Sequence, residues 1–228
     1  MSMPKKALIF YCPCGPNEPI PNVDMLTTKG CSGQLILEAT DDTMVAQLLG
    51  LDTHQIKSTF QQRFHDLSLA ILSNDTKTID IGHQLNCLRL PLNSTDQIIQ
   101  LLSSTEIDVF FVDFTDQKNP WHIINKLLVL ENKDLIQCVV SPFTLPEQVT
   151  SPIMPRQSYQ MKNGLEVNTN DQTALMYSYF HSGSARTDTT TQYTLQNIQS
   201  HGGNNKILAW HFLAEIAHKL GFVSKYGA

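Results

Sequence analysis

The chain has 228 residues, 41% of them hydrophobic, enough for one large domain or a domain with a smaller appendage. Its 16 Lys and Arg are scattered and outweighed by 21 Asp and Glu, for a formal charge of −5, which disfavours sequence-independent binding to nucleic acid. No run approaches the ~18 apolar residues of a membrane span, so no insertion into a membrane is expected.

Charged residues make up only 16% of the chain, below the roughly 25% of ordinary globular proteins. A surface of Gln, Asn, Ser and Thr loses less on desolvation, and interface cores exclude charge, so the composition points toward a protein partner. The five cysteines are an odd, scattered set, with Cys87 and Cys138 in apolar settings. They read as reduced thiols and place the expected location in the cytoplasm.

The opening "MSMPKKALIFYCPCGP" sets two lysines before an apolar stretch too short for a signal peptide, so residues 7–11 read as a buried first strand. Pro13, Pro16, Pro19 and Pro21 then forbid a ladder or a helix through the following loop. "GQLILEATDD" adds a short strand, and "DDTMVAQLLGL" a short helix capped by Asp41 or Asp42 and closed near Gly50. Ile56, Phe60, Phe64, Leu67 and Ile71 recur on one helical face, so a helix capped by Asp52, with Gln55 as capping-box partner, is expected to reach about Leu72.

"QLNCLRLPL" (84–92) reads as a strand, "STDQIIQLLSS" as a helix capped by Ser94 or Thr95, and "IDVFFVDF" (107–114) as a strand covered on both faces. "NPWHIINKLLVLEN" starts a helix at Pro120, and "DLIQCVVSPF" is a strand ended by Pro142. Strands alternating with helices of this size imply right-handed crossovers. The expected fold is therefore α/β: an open, mainly parallel Rossmann-like sheet with flanking helices and a helical C-terminal region. The boundaries expected are an α/β core over 1–142, a proline-containing extended connection over 143–172, and a helical region over 173–228 that packs on the core or on a partner. Its last helix should span about Asn205 to Leu220.

Three groups of residues are candidates for chemistry. Cys12 and Cys14 form a CxC at the end of the first strand, with Cys31 seventeen residues further on. Zinc sites usually need four ligands, and the loop has no helix immediately after it to activate a thiol, so a structural turn is the favoured reading. His211, Glu215 and His218 share one helical face and are candidate metal ligands, or simply the polar stripe of an apolar helix. The third group follows from fold logic, because open parallel sheets bind ligands beyond the carboxyl ends of their strands. Cys12, Cys14, Asp113, Asp116 and Ser141 all fall at such ends.

The stretch "IDVFFVDF…PWHIINKLL…DLIQCVVSP" resembles the layout of a response-regulator receiver. That resemblance places Asp113 at the phospho-acceptor position and Ser141 at the end of the next strand. The first strand departs from the pattern: it ends in Cys-Pro-Cys where the family carries an acidic pair for magnesium, and no lysine-ended strand follows Ser141.

GxGxxG after a strand, GxxxxGK[ST], GxSxG and HExxH are all absent, so no cofactor is expected. The first functional expectation is a non-catalytic protein-interaction subunit or adaptor of a larger assembly. Trp210 and Phe212, on different faces of the last helix, are its partner-binding candidates. The alternative is a hydrolase or transferase with a thiol or carboxylate site at the strand ends: Cys12, Cys14 or Cys31 as nucleophile, His83, His181 or His201 as base, and Asp113 as orienter.

Overall fold

The computed structural model describes residues 3–40, 42–52, 54–104, 106–128, 132–144, 161–162, 164–183 and 186–224. The fold is a large α/β sheet with helices on both faces, as the alternating pattern implies. Its strands are β1 (Lys6–Tyr11), β2 (Cys31–Glu38), β3 (Leu69–Leu72), β4 (Leu88–Leu90), β5 (Val109–Asp113), β6 (Leu135–Thr144), β9 (Thr169–Phe180) and β10 (Lys206–Leu208). They lie in the order β10-β2-β9-β6-β1-β5-β3-β4, and β9 alone runs antiparallel to its neighbours. A separate two-stranded hairpin joins β7 (Met161–Lys162) to β8 (Leu165–Glu166).

Burial on both faces explains the composition of the central strands. Along β1, Ala7, Ile9 and Tyr11 enter one core while Leu8 and Phe10, followed by Cys12, enter the other. The first core is closed by α2 (Met44–Leu48), α3 (Ile56–Phe64), α4 (Thr76–Leu85) and α8 (Phe212–Leu220). The second is closed by α1 (Pro21–Lys29), α5 (Thr95–Ser104), α6 (Pro120–Leu127) and α7 (Leu195–His201).

Several elements differ from the sequence expectation, each for a local reason. The proline loop ends sooner than expected, because Pro21 opens α1 in the first-turn position where its missing N–H costs nothing. Thr43 caps α2 through a bond from the Ala46 amide, leaving Asp42 outside the helix, while Asp41 lies outside the described residues. The long helix expected to Leu72 stops at Phe64, where His65 takes φ 55, and Leu69–Leu72 is β3. Asp52 accepts the His54 amide, and Gln55 is the residue at the helix start. Pro142 does not end β6, which continues to Thr144; β1 stops pairing with it at Val140, and Pro142 faces only Leu175 of β9.

Within the expected helical region, β9 is a strand in the middle of the sheet. Leu175, Tyr177 and Tyr179 belong to one core and Met176 and Phe180 to the other, a period of two. The last helix likewise begins late: Lys206–Leu208 pairs with β2, Ala209–His211 is a 3-10 turn, and α8 starts at Phe212. Residues 145–160 of the expected connection lie outside the described residues. Among the described residues no helix is long and apolar enough to cross a membrane.

Candidate functional site

The carboxyl ends of β1, β3, β5 and β6 share one edge of the sheet, and the sequence candidates of the first strand and of Asp113 meet there. Asp113 is 1% exposed, and both of its oxygens are occupied. Oδ2 accepts the hydroxyls of Ser73 at 2.9 Å and Thr78 at 2.6 Å, while Oδ1 accepts the Thr115 amide at 2.9 Å and its hydroxyl at 2.6 Å. The carboxylate thus ties the end of β5 to the β3–α4 turn, where Asp75 caps α4 by accepting the Thr78 amide. Ser73 and Thr78 carry no motif; the capping pattern from Asp75 to Thr78 is the signal that places them on this turn. Asp116 is exposed beyond the network.

Tyr11 turns into the opposite core, where its hydroxyl lies 3.6 Å from Met44 Sδ and its ring stacks on Phe111. Burial, reinforced by the negative charge of Asp113, keeps the phenol protonated by pushing its pKa upward. Cys12 is fully buried and Cys14 exposed, yet their sulfurs are 3.9 Å apart. The tripeptide is held at both ends: the Cys12 amide donates to Val140 O at 2.9 Å, and Trp121 Nε1 donates to Cys14 O at 3.1 Å. Burial drives the Cys12 thiol strongly upward in pKa.

Cys14 opens on a cleft of about 570 Å³ between the β1 loop, the end of β6 and the start of α7. Its apolar walls include Pro16, Pro142, Phe143 and Leu195, with Asn17 at the exposed rim. Tyr193 forms the floor, donating to Met176 O at 2.9 Å and lying 3.2 Å from the Ser141 hydroxyl. Sequence reasoning placed Ser141 at this edge but missed Phe143, Tyr193 and Leu195, which reach it only through the return of β9 and α7.

The remaining enzyme candidates lie elsewhere. Cys31 begins β2 beside Gly203 and Asp188, buried, with its thiol pushed up to about 11 by burial and then by the Asp188 charge. Asp188 accepts the Ser32, Gly203 and Thr190 amides at 2.7, 2.8 and 2.9 Å. Burial alone would raise its pKa, but these amides hold it below the usual carboxylate value. His181 is bonded to Lys133 O at 2.7 Å before the start of β6, at the opposite edge of the sheet. His201 lies against Asn197 O at the exposed end of α7, and His83 is exposed on α4.

His211, Glu215 and His218 are not gathered into one site. His211 sits in the 3-10 turn with Nε2 2.9 Å from Met161 O, while His218 Nδ1 lies 3.0 Å from Val223 O. Among the described residues no three His, Cys, Asp or Glu side chains are grouped to hold a metal ion. Burial lowers the pKa of His211 to about 4, the Met161 carbonyl opposing and the Arg63 charge adding to the effect.

Trp210 and Phe212, the partner candidates, are 2% and 1% exposed and pack within the chain itself. Two cations lie over Trp210, the Arg63 guanidinium 3.9 Å and the Lys162 ammonium 4.2 Å from its ring centre. Phe212 meets Tyr177 edge-on at 5.6 Å. The apolar breadth that suggested a partner is consumed by the sheet and α3.

No protein-family model matches the chain, and no curated protein matches it by sequence. Solved structures match the whole architecture. The PH0037 protein from Pyrococcus horikoshii superposes with a TM-score of 0.69 at 10% identity, covering 100% of both chains. A cofactor-independent phosphoglycerate mutase from Thermoplasma acidophilum superposes with a TM-score of 0.64 at 8% identity, covering 95% of this chain and 100% of that one. At these identities the likeness is one of fold, and it establishes an α/β chain with a mostly parallel central sheet.

Proposed function

We propose that the chain is a non-catalytic protein-interaction subunit or adaptor that engages its partner through the cleft at the carboxyl edge. The observation that carries this reading is the state of Asp113. Its four hydrogen bonds fill the acceptor positions that a general base, a phospho-acceptor or a metal ligand would need. The exposed thiol of Cys14 lines the cleft, but His83, His181 and His201 all lie on other parts of the molecule. What the cleft offers is an apolar wall with a neutral polar rim, the surface pattern of an interface core.

The mutase activity named for one fold neighbour defines the sharpest enzymatic test. The purified full chain, with and without added divalent cations, is expected to leave phosphoglycerate isomers and a chromogenic phosphate monoester unchanged. Turnover that disappears in Asp113→Asn or Cys14→Ser would replace the adaptor reading with a hydrolase or transferase.

A further inference from the structure

We propose that Cys12 and Cys14 form a binding site for a single soft monovalent metal ion, with Cu(I) as the ion the donor set selects. The site goes beyond the partner reading, and its failure leaves that reading standing. Three observations carry it. The two sulfurs are already 3.9 Å apart on residues separated only by Pro13. One ion at an ordinary metal–sulfur distance of about 2.3 Å spans that separation at a sulfur–metal–sulfur angle of roughly 120° with no backbone movement. The tripeptide is fixed by Val140 O at one end and the Trp121 indole at the other, so little ordering remains to oppose binding. Finally, Cys14 opens to the cleft, which gives an ion access to the exposed member of the pair, 3.9 Å from the buried Cys12 sulfur.

The choice of ion follows from the donors. Zinc favours a closed set of four ligands, and among the described residues no third His, Cys, Asp or Glu joins the pair. Thiolates and thioethers select Cu(I), and the cleft beside Cys14 is lined by Met176, whose thioether is the same kind of donor. Binding displaces the thiol protons to solvent. No redox change is involved.

The test uses the full chain, reduced with a non-thiol reductant under anaerobic conditions and titrated with Cu(I) against a chromophoric Cu(I) chelator. The expected result is one equivalent bound, with X-ray absorption showing sulfur donors only. Cys14→Ser, an exposed change that leaves the core intact, should weaken binding by more than about 100-fold, the upper end of what losing a mere outer-shell partner costs. Cys12→Ser should do the same, and Cys31→Ser should leave the affinity unchanged. Unchanged binding in Cys14→Ser would overturn the assignment. So would tighter, four-coordinate binding of zinc by the same residues, or no copper uptake by the reduced parent chain.

Discussion

Thr78 Oγ1 lies 2.6 Å from Asp113 Oδ2, a buried hydroxyl from α4 donating to a buried carboxylate at the end of β5. With Ser73 and Thr115 it makes Asp113 a clasp between strand ends. Asp113→Ala leaves those donors without an acceptor and is expected to destabilise the chain by about 3 kcal/mol, with Thr78→Val costing about 2 kcal/mol. Urea unfolding measures both. A residue kept for chemistry behaves in the opposite way, so unchanged or increased stability in Asp113→Ala contradicts the structural role.

Arg63 joins three elements at once. Nη1 donates to Gly50 O at 2.6 Å, Nη2 donates to Trp210 O at 2.9 Å, and the guanidinium plane covers the Trp210 ring. Arg63→Lys keeps the charge but loses the fork that reaches both carbonyls, and is expected to cost about 2 kcal/mol. Trp210→Ala is expected to cost about 4 kcal/mol. Gly50, at φ 63, has the Arg63 head and the Trp210 carbonyl where a Cβ would stand, so Gly50→Ala also unseats the clasp. Thermal unfolding of the three variants should rank Trp210→Ala as the most damaging.

His211 imposes a pH dependence of known sign. Its pKa is about 4 in the folded chain against 6.5 in the unfolded one, so between those values the unfolded state binds the extra proton. Stability is complete above pH 6.5 and declines as pH falls toward 4, by roughly 3 kcal/mol in all. Asp188 adds a loss of the same direction that continues below its ordinary pKa, because its folded pKa is depressed. His211→Gln is expected to flatten the slope between pH 6.5 and 4 while Asp188→Asn leaves that window largely intact. Denaturant midpoints measured across this range decide it.

Much of this arrangement was legible in the chain. The runs at β1, β5 and β6 and the apolar stripe of α6 each gave one local answer, and together they require a parallel sheet. The misreadings share a cause. Leu67 and Ile71 continue the helical spacing of Ile56, Phe60 and Phe64 by coincidence, and only the turn at His65, with φ 55, breaks it. Tyr177, Ser178 and Tyr179 look like neither a plain helix nor a plain strand until partners on both sides, β2 and β6, bury both faces. The position of Cys12, Cys14 and Asp113 at a sheet edge was readable from pattern. The occupation of Asp113 was not, because Ser73 and Thr78 reach it only after β3 and β5 have paired.

The cleft lends itself to two changes that introduce charge. Asn17→Arg puts charge on the exposed rim, and Leu195→Glu puts it on a half-buried wall residue that also packs against the second core. Asn17→Arg is expected to leave the stability within about 0.5 kcal/mol of the parent, whereas Leu195→Glu costs more than that. Charge on the apolar wall of an interface excludes a partner, so Leu195→Glu should abolish association, while Asn17→Arg at the rim should weaken it.

The most direct measurement is native mass spectrometry of the chain purified gently from its own cells, alongside Asn17→Arg and Leu195→Glu. The adaptor reading predicts a stoichiometric protein partner on the parent chain, held more weakly by Asn17→Arg at unchanged fold and lost from Leu195→Glu. A monomeric parent, or a partner retained equally by both variants, would contradict it.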